Sequence, residues 1–501
     1  MRASLIHLAL AVCTLSTSSA IANNLQISNV SQSGSNISFT ISWENSWNTT
    51  NNINPLYPNN WDAAWVFIKY QNQIDNLWKH VKLSSTVADH SVTGGGAPLV
   101  IETTTDSMGV FIRRSTAGAG NIVNASVTLR MGSLIGSGDF NFKVFGIEMV
   151  YANQDTVQMG DGNISGAFYL NPITITAAKQ ASGLTGGELY SGSPAIPAAF
   201  PMGFGAIYAM KYEATMEQWV DFLNTLTYDQ QNTRIDIAPN AAANTRAYTV
   251  NPSLAANNTI EVVVPGLNNT QPAVFGCDYT QDNVYNTSND GQNIPFVSGS
   301  KSDILAYLDW SGLRPLSEME FEKLCRGPRP RVSTEFAWGS TALATRTRVN
   351  LINSGTANEV SNATVVNGQA MANSGNQGHG PARNGVFATN SSGRASSGAG
   401  FYGHMELSGN CWEVVVAAGT GGTGFTRSEH GDGLLTTLGD ANQAGWPEGY
   451  SGLNTGITIR GGSWWETSSH IAFLTASYRN PSGLAAARSL NLGIRGCRSA
   501  N

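Results

Sequence analysis

Arg460-Gly461-Gly462-Ser463-Trp464-Trp465-Glu466, followed by Tyr478-Arg479 and the closing Leu492-Gly493-Ile494-Arg495-Gly496-Cys497, is the stretch whose reading decides the fold. Two glycines let a strand turn tightly, and two adjacent tryptophans can send one indole to each face of it. Taken alone, this describes a structural corner. Its weight comes from an ordered set of motifs upstream.

Working outward, Ser408-Gly-Asn-Cys-Trp-Glu413 and Phe336-Ala-Trp-Gly339 precede it, and before them comes Leu313-Arg-Pro-Leu-Ser-Glu-Met-Glu-Phe-Glu-Lys-Leu-Cys-Arg-Gly327. Ser317 and Glu320 have capping-box spacing, so a helix begins after Pro315. Thr215 and Gln218 repeat that spacing ahead of the apolar stripe Trp219, Val220, Phe222, Leu223 and Leu226, and a further helix is expected from Ser302 to about Asp309. Alternate residues of a helix face different sides, so Glu318, Glu320 and Glu322 read as capping and solvated face rather than paired catalytic acids. The Gly-, Asn- and Ser-rich stretch Asn353 to Gly400 carries too few apolar residues for a core of its own. Gly419-Thr-Gly-Gly-Thr-Gly424 fits a dinucleotide fingerprint, but no helix pattern follows it, so it reads as a loop. Ser463 and His470 lack a nucleophile elbow.

The N-terminal part has a different texture. Ile37 to Trp43, Ala64 to Tyr70, Gly109 to Arg113, Ala125 to Arg130 and Phe140 to Phe145 are short runs between Gly/Asn/Ser loops, which predicts an all-β sandwich over residues 23–145. Trp43 and Trp65 fall inside strand patterns and read as core. Trp47 and Trp61 flank the loop 48–60 and are candidates to stack on a ligand. Residues 1–22, with the apolar run Leu5 to Val12 and small residues before Asn23, read as a secretory signal peptide. A charged fraction of 12%, 54 glycines and a net charge of -6 suit an exported protein with a neutral polar surface, and argue against nucleic-acid partners and a membrane span. Beyond the leader, Cys277, Cys325, Cys411 and Cys497 allow three complete pairings, and spacing does not choose among them.

The motifs above, together with Glu148-Met-Val, Gln158-Met-Gly and Met210-Lys-Tyr-Glu-Ala-Thr-Met-Glu-Gln-Trp-Val-Asp-Phe-Leu, resemble in order the formylglycine-generating enzyme, or sulfatase-modifying factor, family over residues 146–501. The resemblance implies an α+β, C-type-lectin-like fold with little regular secondary structure. It also implies an oxidase whose copper is held by two cysteines, three and eight residues after Ser463. Here those positions are Glu466 and Ile471, which cannot reproduce a soft dithiolate site, so copper is not expected. A second branch of the family uses iron histidines from a separate helical domain, which the strand-patterned N-terminal part does not supply.

The family's calcium loop carries over to the Glu406 and Glu413 side chains and the Gly409 and Cys411 carbonyls, all hard oxygen donors. The alternative, that Glu413 merely accepts backbone hydrogen bonds in a tight loop, stays open. The resemblance also implies a Cys325–Cys497 disulfide. Two functions follow as expectations. One is a secreted binding or structural protein for a protein, peptide or glycan ligand, with Trp47, Trp61, Trp464, Trp465 and His470 as candidate contacts. The other is an oxidoreductase of altered chemistry in the same cleft.

Overall fold

Period-two alternation builds the first layer. The computed structural model describes residues 24–500 apart from 52–53, 55–56, 73–75, 134, 136–139, 163–167, 250–258, 268–269, 373–379, 448–454 and 481–486; the expected leader lies outside the described residues. The described strands up to Ala152 are β1 (Gln26–Ser33), β2 (Asn36–Asn48), β3 (Asp62–Asn72), β4 (Trp78–His80), β5 (Ser91–Gly95), β6 (Leu99–Thr103), β7 (Val110–Arg114), β8 (Gly118–Arg130) and β9 (Phe140–Ala152). An antiparallel sheet runs β1-β2-β8-β5. Ile37, Phe39, Ile41 and Trp43 of β2, with Ile122, Ala125, Val127 and Leu129 of β8, are buried in one cluster, because alternate residues share a face.

β3 does not alternate: every residue from Asp62 to Lys69 is buried. Ala64, Val66 and Ile68 join the cluster under the first sheet. Ala63, Trp65 and Phe67 join a larger core with α-helical residues such as Leu308 and Trp310. A strand covered on both faces reads as a continuous apolar run. Trp65 lies in this second core, and its Nε1 donates to the Ser311 carbonyl at 2.9 Å.

The sheet containing β3 extends well beyond the N-terminal part. After β10 (Val157–Met159) and β11 (Ile173–Ile175), which pair with each other, comes β12 (Ile207–Met210). The strand order is Arg314–Pro315, Gly496–Ser499, β12, β9, β3, β7, β6, with β4 on the far end of β3. β9 runs unbroken through residues 145 and 146, pairing along its length with β3 and at its end with β12. The chain's last described strand is therefore hydrogen-bonded into the same sheet as its third.

The helices are α1 (Ala177–Ser182), α2 (Met216–Leu223), α3 (Tyr228–Arg234), α4 (Lys301–Trp310), α5 (Glu318–Arg326) and α6 (Arg394–Ser397). With 14% helix and 32% strand, the chain is mixed and strand-rich. Both expected capping boxes form reciprocally, Thr215 with Gln218 and Ser317 with Glu320. α3, capped by Thr227 and Gln230, had the same signature but no apolar stripe to announce it. The stretch 353–400 departs from expectation: with Leu351, its residues Met371, Ala382, Val386 and Phe387 form a small buried cluster. No described helix is long and apolar enough to cross a membrane.

Candidate functional site

A three-stranded sheet brings the expected motifs together. Ile457–Arg460 pairs antiparallel with Trp412–Val416, which pairs in parallel with Leu492–Gly493. The chain then turns at Gly461 and Gly462, with φ of 93° and 69°. A Cβ at Gly462 would meet the Leu474 side chain at 2.8 Å. Glycine is required there by both conformation and space.

Beneath this corner lies α5, and here the reading of a solvated face is corrected. All nine of its residues are buried. Glu318 accepts from Arg479 Nε at 2.8 Å and from Arg460 Nη1 at 3.4 Å. Glu322 accepts from Arg460 Nη2 at 3.1 Å, Arg326 Nη1 at 2.7 Å and Ser477 Oγ at 3.0 Å. Arg314 grips Glu320 with two bonds, of 2.7 and 2.8 Å. Burial alone would raise the Glu322 carboxyl, yet Arg326 and Arg460 draw it below its ordinary value. Along α5, Glu320 pairs with Arg314, while Glu318 and Glu322 share Arg460 and add Arg479 and Arg326, so each buried carboxylate is compensated.

The calcium candidates sit in a second acidic group that is provided for differently. Glu406 Oε1 accepts from Gly385 N at 2.9 Å, and Glu413 Oε1 from Arg495 Nε at 2.7 Å. The other carboxylate oxygen of each is buried and meets no donor. Glu213, which sequence reasoning missed, joins them. Its Oε1 accepts from Cys411 N at 2.9 Å and its Oε2 from Asn410 Nδ2 at 2.6 Å. Burial raises all three carboxyls against the pull of Arg495, Glu406 to about 7. Glu406 holds a φ of 58°, a left-handed backbone that is uncommon for a glutamate.

Arg495 is shared out, its Nη groups donating to the Met210 and Met405 carbonyls. Among the described residues no three acidic, Cys or His side chains form a ready-made metal cage. The donor set expected there is two carboxylates with backbone oxygens. Its two orphaned carboxylate oxygens are hard donors in an acid-rich pocket, which fits a calcium ion in kind.

At the corner itself, Glu466 is buried, its Oε1 accepting from Trp412 Nε1 at 2.8 Å and Ser463 Oγ at 3.1 Å. Burial raises its carboxyl, with Ser463, Trp412 and His470 opposing. Ile471 packs beside Phe336, Trp338 and Leu474. Trp464 is buried, its Nε1 donating to the Leu490 carbonyl at 3.2 Å, whereas Trp465 is 43% exposed. The two indoles meet edge to face, 5.1 Å apart. His470 is exposed and stacks on Phe473, which stacks in turn on Tyr478 at 4.6 Å. The corner thus carries an aromatic surface around one engaged carboxylate.

The other candidates lie elsewhere. Both faces of the Trp61 indole are taken: Tyr151 stacks on it at 4.2 Å and 4°, which leaves the opposite face to the Arg113 guanidinium at 4.4 Å. It has no free face for a sugar. Trp47 lines a cleft at the junction of the two parts of the chain. Cys277, Cys325, Cys411 and Cys497 are buried free thiols, with Cys325 and Cys497 in one hydrophobic cluster.

The family model described as "Sulfatase-modifying factor enzyme 1-like domain" matches residues 172–500, and the region before it has no family match. No curated protein matches the chain. Among solved structures, the Major Tropism Determinant U1 variant is similar over 83% of this chain and 84% of its own, with 13% identity and a TM-score of 0.25. The I1 variant gives the same coverage, identity and TM-score.

Proposed function

We propose that this chain, which belongs to the sulfatase-modifying factor enzyme 1-like family, is a secreted binding protein on a lectin-like scaffold rather than a copper oxidase. The observation that carries the reading is the state of Glu466. Its carboxylate is held by Trp412 and Ser463, and Ile471 packs apolar groups. Neither offers the soft thiolate that copper(I) requires. The surface left to act is aromatic, with the exposed Trp465 and His470 turned to a protein, peptide or glycan ligand.

Glu406 and Glu413, with the Gly409 and Cys411 carbonyls, would hold a calcium ion. The ion would neutralise surplus acid and tie the loop 406–413 to the sheet. The Cys325–Cys497 disulfide remains part of this proposal. The two residues share one buried cluster, and closing a loop of about 170 residues stabilises by a few kcal/mol in the chain-entropy model. Peptide mapping of the exported protein without reduction should find them linked; Cys325 linked to Cys277 or Cys411 instead would refute the pairing.

The deciding experiment incubates copper-loaded mature protein with a sulfatase-type cysteine peptide and reads the mass at cysteine. No change is expected; copper-dependent conversion would overturn the proposal. Ligands from glycan-array and peptide-library screens should bind the Trp465→Ala variant at least tenfold more weakly. Unchanged binding would remove the corner from the reading.

A further inference from the structure

A cleft of about 840 Å³ opens where the neck of the loop 49–60 meets the segment 388–405. Its walls are fixed by contacts across the junction. Asn60 Nδ2 donates to the Tyr402 carbonyl at 2.8 Å and to the Tyr151 carbonyl at 3.2 Å. Gly403, at a φ of 100°, lets the chain pass so close that a Cβ there would lie 3.1 Å from the Trp47 indole. Trp47, Tyr212, Phe401 and Tyr402 supply aromatic walls, and Thr389, Asn390 and Ser392 a rim of hydroxyls and amides. Among the described residues no carboxylate lines it.

Two cations do line it, and they differ. Lys211 is neutralised: its Nζ lies 2.9 Å from Glu148 and 4.0 Å from Asp62. Arg394 makes no ion pair among the described residues. Its Nη2 donates to the Cys325 and Ala337 carbonyls, both at 2.7 Å, and its guanidinium lies 5.4 Å from the centre of the Phe401 ring. Its Nε is buried without an acceptor. A positioned guanidinium with no carboxylate paired to it, on a residue that lines a concave site, selects a planar or tetrahedral oxyanion. Aromatic walls with a hydroxyl-rich rim suit a ring that has one apolar face and many hydroxyls, and the volume lies in the range of small-molecule sites, roughly 300–1,000 Å³.

We infer that this cleft binds an acidic saccharide, its carboxylate or sulfate on Arg394 and the apolar face of the sugar ring against Trp47. The site is separate from the Trp465 corner and stands or falls independently of it. Titration calorimetry of the full-length mature protein at low salt would use four probes: trigalacturonate, a κ-carrageenan tetrasaccharide that carries sulfate and no carboxylate, maltotriose and hexaglutamate. At least one of the two acidic saccharides should bind ten times or more tighter than maltotriose and hexaglutamate, and which of them wins separates carboxylate from sulfate. Arg394→Gln should weaken that binding at least tenfold. Because Arg394 also tethers two carbonyls, Asn390→Trp, which alters only the exposed rim, provides a second block and should do the same. Equal binding of maltotriose, equal binding of hexaglutamate, no binding of either acidic saccharide, or binding unaffected by Asn390→Trp would each overturn the inference.

Discussion

Two groups of buried acids, one on α5 and one around residue 410, are compensated in different ways. On α5, Glu318, Glu320 and Glu322, with Glu335 beside Arg326, meet Arg479, Arg460, Arg314 and Arg326, so four acids match four bases. Around residue 410, Glu213, Glu406 and Glu413 share mainly Arg495, and two carboxylate oxygens stay orphaned. The first group is balanced in charge and therefore structural. The second has surplus negative charge, which burial penalises until a proton or a cation arrives.

The largest effect should come from breaking the balanced group. Glu318→Gln removes the charge that compensates both Arg460 and Arg479, and breaking a buried pair in this way costs about 3–5 kcal/mol. Urea denaturation should show the midpoint fall with little change in slope. A loss under about 1 kcal/mol would mean that the guanidiniums find other acceptors.

Next comes removal of the cation. In excess chelator the melting temperature should fall, and calcium should restore it. At a hundredfold excess over the dissociation constant the ion contributes about 2.7 kcal/mol. Glu413→Gln should abolish this response, while Glu318→Gln, though less stable, should keep it. A melt indifferent to chelator would leave Arg495, with Arg383 near Glu406, as the group's counter-charge.

The smallest effect probes a surplus of base. His430 Nε2 accepts from Ser499 N at 2.9 Å, and its Nδ1 lies 3.9 Å from Asp106. Burial, then Arg498, Arg314 and Arg427, holds it well below its ordinary value. The folded state therefore binds fewer protons at this residue than the unfolded state, so its contribution is intact above pH 6.5 and is lost as pH falls below that value. The slope is at most about 1.4 kcal/mol per pH unit. His430→Gln should flatten the decline of melting temperature between pH 6.5 and 5; an unchanged slope would assign the acid sensitivity to other groups.

What could be read beforehand was local. Thr215 with Gln218 and Ser317 with Glu320 predict helix starts because both partners lie within one turn. The alternation in β2 predicts its buried face for the same reason. The pairing of Glu318 with Arg479 was hidden because the partners are 161 residues apart. Amphipathic spacing in a helix also looks the same whether its polar side meets water or guanidiniums. β3 did carry a signal that went unused: its unbroken apolar run from Ala63 to Ile68 marks a strand covered on both faces. Glu213 stood in a quoted motif, but nothing near it in sequence indicates that its neighbours would be Asn410 and Cys411.

The sequence by itself determined the family, through motifs whose order survives any loop between them, and the chemistry that is possible at the corner, since no arrangement can turn Glu466 or Ile471 into a thiol. Only the tertiary structure decided which charges are satisfied, that Trp61 is covered while Trp47 faces a cleft, and that β9 carries one sheet from the N-terminal part to the C-terminal strand. The physical reason is that backbone propensity and metal preference belong to single residues and near neighbours. Compensation of a buried charge depends on what long-range folding brings within about 4 Å, where Coulomb energy is large enough to matter.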